Sequence, residues 1–184
     1  VARSSADVAI VVDPAVVDSV LAVPGVATAE AVVQGPAQLV GADGSAIGGN
    51  GPPTIGANWI DDPSLEPYHV VEGRAPQASA GDGPVEVVVD RGSADAGELT
   101  VGATTTVLVP DQVPVEIVGI VAFGTSDSMA GSTFTGFAPT DATRLLGGGQ
   151  PGVSEIRVAA DAGVDQDQLA AEVGEVLPLG VEAI

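Results

Sequence analysis

Asp61, Asp62, Glu66 and His69 stand close together in the run Asp-Asp-Pro-Ser-Leu-Glu-Pro-Tyr-His. Carboxylates with an imidazole at short spacing are the donors that a hard or borderline divalent metal takes. Pro63 and Pro67 break any helix that would bring the four to one face. The expectation is therefore solvated loop charges and no metal site. Asp165 and Asp167, in the segment from Asp161 to Asp167, resemble part of a calcium loop but lack the central Gly and distal Glu of an EF-hand. Capping of a helix N-terminus explains them better.

Other chemistry is excluded more firmly. The chain holds one His and no Cys, and no Ser sits in a G-x-S-x-G elbow. Thiol catalysis, thiolate metal sites and disulfides are thus out of reach. The five basic residues are all Arg, so a Walker A lysine is missing, and no G-x-G-x-x-G follows a strand. Nothing among the 25 acids singles out a pair for glycoside cleavage. The expectation is a non-enzyme without cofactor. Trp59, Met129, Phe134 and Phe137 lie in or beside loops. They are the candidate partner contacts, with core packing as the alternative for each.

A net charge of -20 repels nucleic acid and anionic headgroups. The mean hydropathy of +0.38 invites a membrane reading. Yet the most apolar segment, Val113 to Phe123, is short and carries Glu116, whereas a spanning helix needs about 20 apolar residues. No signal segment opens the chain, and any anchor is expected outside it. Aromatics make up only 3%, so Val, Ala, Leu and Ile must build the core.

The two ends repeat one pattern. Asp7–Val12 reads as a strand, Asp13 and Pro14 as N-cap and first turn of a helix, and Val16, Val17, Val20 and Leu21 as its apolar face. Pro24-Gly25 ends it, and Val26 to Val40 reads as a long strand or bent pair. Near the C-terminus, Glu155–Ala160 is a strand and Asp165 with Gln168 a capping box. Leu169, Val173, Val176 and Leu177 form an apolar face, and Val181–Ile184 a last strand. Two β-α-β halves make a split ferredoxin-like (βαββαβ) lobe, with the last strand antiparallel beside the first.

Between them, residues 41–58 read as an extended Gly- and Pro-rich loop. Glu86–Asp90, Thr104–Val109, Val113–Phe123 and Ser132–Ala138 read as strands, with a hairpin turn at Pro110-Asp111-Gln112. Thr140 caps a short helix that Gly147-Gly-Gly149 ends. The fold expected is α+β. Residues 1–42 and 150–184 form a porter-like α/β lobe, and 43–149 an inserted β-rich lobe.

The order of short motifs in the middle carries a resemblance. Val70-Val-Glu-Gly-Arg-Ala-Pro76, Val85-Glu-Val-Val-Val-Asp90, Leu99-Thr-Val-Gly-Ala-Thr104 and Val115-Glu-Ile-Val-Gly-Ile120 are followed by Phe137-Ala-Pro and Ala142-Thr-Arg-Leu-Leu146. The series resembles the extracytoplasmic domain of MacB/FtsX-like ABC-transporter permeases, particularly actinobacterial ones. Ala103 departs from the Asp usual after Val-Gly in that family. The resemblance implies a domain on the extracytoplasmic side of the cell membrane, between the protein's own first and second transmembrane helices. It also implies a second permease copy and a cytoplasmic ABC ATPase whose helix movements reach the outer domain. The cargo stays open among envelope protein, lipid and peptide. The alternative implied is an FtsX-like module that controls a cell-wall hydrolase.

Overall fold

The computed structural model describes residues 2–4, 13, 15–49, 51–79, 81, 83–147 and 153–184. In chain order its elements are β1 (Ala2–Ser4), α1 (Ala15–Leu21), β2 (Val26–Val32), β3 (Gln34–Pro36), β4 (Gln38–Leu39), β5 (Thr54–Asn58), β6 (Tyr68–Gly73) and β7 (Val85–Asp90). Then follow α2 (Arg91–Ala96), β8 (Thr104–Val109), β9 (Asp111–Phe123), β10 (Thr133–Phe137), α3 (Pro139–Leu145), β11 (Glu155–Ala160), α4 (Gln166–Val176) and β12 (Val181–Ala183). They divide into two compact units, one of Val1–Val33 with Gln150–Ile184 and the other of Gln34–Gly149.

The first unit holds a sheet of order β12-β1-β11-β2 in which every neighbour is antiparallel. β1 and β2 therefore run parallel with β11 between them, and β11 and β12 run parallel with β1 between them. That is the split βαβ taken twice, the ferredoxin-like arrangement. The expected strand Asp7–Val12 lies outside the described residues, as does Pro14, and the first described strand is β1. Ala2 pairs with Ala183, Arg3 with Glu182 and Ser4 with Val181. α1 starts as expected, the Asp13 carboxylate accepting from the Ala15 N–H at 2.9 Å. Val20 and Val23 pack with Ala29, Val153, Ile156, Leu169 and Val173 in the core. Leu21, at the last residue of α1, is exposed instead. At α4, Asp165 accepts from the Gln168 N–H at 2.9 Å. The capping box closes only halfway, because the Gln168 side chain donates to Glu172 on the next turn.

The second unit is a curled sheet of order β3-β5-β10-β7-β9-β8-β4, with β6 added on β9. Its two path ends, β3 and β4, are separated in the chain by the fully buried Ala37 alone. The sheet thus closes on itself, and Ala37 joins a core of Leu39, Val87, Val89, Val107, Val115, Ile117 and Phe137. The strand expected over Val26–Val40 is accordingly three pieces. β2 stays in the first unit, whereas β3 and β4 belong to the β-rich one.

The long strand β9 lines one edge of β7 and shares its own second edge. Residues 111–116 pair with β8, and 119–123 with β6. The chains cross so closely there that a Cβ on Gly119 would overlap the Arg74 carbonyl, and one on Gly73 the Val118 carbonyl. Gly73 also has φ +74.

Three expectations change here. β5 lies inside the segment read as a loop, because Gly56 leaves room for Ala37, Phe137 and Leu146 against the strand. α3 begins at Pro139 with no side-chain cap from Thr140, since the fixed φ of Pro suits the first turn. The β8–β9 turn is tighter than expected, Val109 pairing with Asp111 around Pro110. Among the described residues no helix is long and apolar enough to cross a membrane.

Candidate functional site

Of the four side chains from Asp61 to His69, Asp62 and Glu66 hold backbone. Asp61 accepts from the Trp59 indole N–H at 3.1 Å, and Asp62 takes the Ser64 N–H and hydroxyl at 2.9 and 2.7 Å. Those Ser64 bonds keep the Asp62 carboxyl below its ordinary range. Glu66 is buried and accepts from the N–H groups of Ile60 and Tyr68. His69 is exposed on β6, opposite Ala122. Among the described residues no group of three or more His, Asp or Glu is gathered as a metal requires.

The candidate partner contacts meet a different fate. Trp59, Phe134 and Phe137 are 8%, 3% and 0% exposed, which removes them from a partner-facing surface. The cause is the scarcity of large side chains. Phe137 fills the β-rich core, while Phe134 stacks on Tyr68 at 4.0 Å between ring centres. Tyr68 meets Phe123 edge-on at 5.4 Å. Met129 is half-buried in the loop before β10.

The polar groups that matter in this unit join distant segments. Asp90 ends β7 and caps α2, accepting from the Ser93 N–H and hydroxyl and from the Phe134 N–H. Burial raises its carboxyl above the ordinary range against the pull of those donors. Glu86 lies opposite Glu116 across β7 and β9, a repulsive register. Arg74 offsets it by donating to both Glu86 oxygens at 2.5 and 2.6 Å, with the Gln77 N–H adding 2.8 Å. Asp141, at 3% exposure, accepts from the Ser79 N–H and hydroxyl and from Arg144. Burial pushes its carboxyl up, but the Arg144 and Ser79 bonds outweigh it and hold the group below its ordinary range.

Residues 74–79 are thereby strapped down at both ends. Beside the strap opens a groove of about 790 Å³. Val85, Val113 and Pro114 form its apolar part, and Thr104, Thr140, Asp141 and Arg144 its polar part. The strap was not evident in the sequence, since Ser79 lies 62 positions from Asp141 and Arg74 lies 12 from Glu86.

The model of the MacB-like periplasmic core domain matches residues 3–176. The chain belongs to this family. The extracellular domain of the noncanonical ABC-type transporter YknZ from Gram-positive bacteria has a similar fold, with a TM-score of 0.63 and 12% identity. That match covers 100% of this chain and 97% of that one. The periplasmic region of MacB from Actinobacillus actinomycetemcomitans is similar to the same degree, TM-score 0.63 and 12% identity. It covers 95% of this chain and 80% of that one. At such identity the two likenesses are of fold. No curated protein matches the chain. The motif order in residues 70–146 therefore pointed to the right family, and a MacB-like domain stands on the extracytoplasmic side.

Proposed function

We propose that the chain is the outer domain of an ABC-transporter permease, moved by ATP hydrolysis in a cytoplasmic ATPase while it engages a substrate or partner. It performs no catalysis of its own. The observation that carries this reading is the register of β1 and β12. Ala2 lies beside Ala183, so both ends of the domain leave from neighbouring positions in one sheet. Two membrane helices attached there stand side by side, and a shift of one against the other is applied to a single packed lobe. Family membership and the fold shared with an ABC-type transporter domain support the same reading.

The first test is one of sidedness. The chain has no cysteine, and Leu179 is fully exposed in a turn. In intact cells producing the whole protein, Leu179→Cys reacts with a membrane-impermeant maleimide. Labelling that appears only after the cells are opened overturns the proposal.

A further inference from the structure

We draw no further inference here: the strongest candidate, the apolar groove of about 310 Å³ formed by α4, β11 and the end of β12 and lined by Val158, Ala160, Leu169, Val173, Ala183 and Ile184, carries nothing, because nothing in the structure shows what covers it.

Discussion

Ser79 and Asp141, 62 positions apart, are joined by two hydrogen bonds, N–H to Oδ2 at 2.9 Å and Oγ to Oδ1 at 2.7 Å. With Arg74 and Gln77 on Glu86, they close residues 74–79 over one side of the β-rich unit. A carboxylate buried this deeply is costly unless its oxygens are satisfied. Ser79→Ala is expected to lose about 1 kcal/mol and Asp141→Ala about 2–3 kcal/mol, the latter because Ser79 N–H and Arg144 lose their acceptor. Urea denaturation at neutral pH reads both.

Acid should undo the same contacts. Asp141 and Glu86 are held below their ordinary ranges in the folded chain, Asp141 by Arg144 and Ser79 against burial and Glu86 chiefly by Arg74. The unfolded chain therefore binds protons first as pH falls. The stability these groups contribute is fully present above the ordinary carboxylate range and is lost as pH drops through their folded values. The urea midpoint is expected to fall steeply below about pH 4. In Asp141→Asn that fall should be shallower.

Asp90 acts with the opposite sign. Burial raises its folded value, so the native chain keeps that proton to higher pH than the unfolded chain does. Its ionisation subtracts stability as pH climbs from the ordinary carboxylate range through the raised value. Asp90→Asn should remove this slope. Asp90→Ala should cost about 2–3 kcal/mol, because the N–H groups of Ser93 and Phe134 lose their acceptor. Comparing the two variants across pH separates charge from hydrogen bonding.

Phe137 fills the core of the β-rich unit, and Phe137→Ala is expected to cost about 3–5 kcal/mol. Leu179→Ser, at a fully exposed site, should stay within about 0.5 kcal/mol of the parent. Thermal melts of the two side by side check the burial that removed Phe137 from the candidate partner contacts.

The legible parts of the fold were those whose signals are local. Glu155–Ala160 is a strand with the expected bounds, and the Asp165 cap and the Leu169–Val173 face of α4 follow from neighbouring residues. β5 was hidden because Thr-Ile-Gly-Ala-Asn reads as loop until Ala37 and Phe137 are packed on Gly56. α2 was hidden because Gly92 obscures the Asp90–Ser93 cap signal. The strap and groove depend on pairs such as Ser79 with Asp141, which no spacing rule connects. Trp59 and Phe134 looked available because they sit beside loops, yet a core so poor in aromatics takes them in.

β1 and β12, from opposite ends of the chain, pair in one sheet. Antiparallel partners lie about 4.5–5.5 Å apart at Cα, within the span a disulfide bridges. Ala2 and Ala183 are such partners. In the whole protein, otherwise free of thiols within this domain, the double variant Ala2→Cys/Ala183→Cys should form an intramolecular disulfide under mild oxidation. Two free thiols after oxidation, or a disulfide that forms only between separate molecules, would contradict the account.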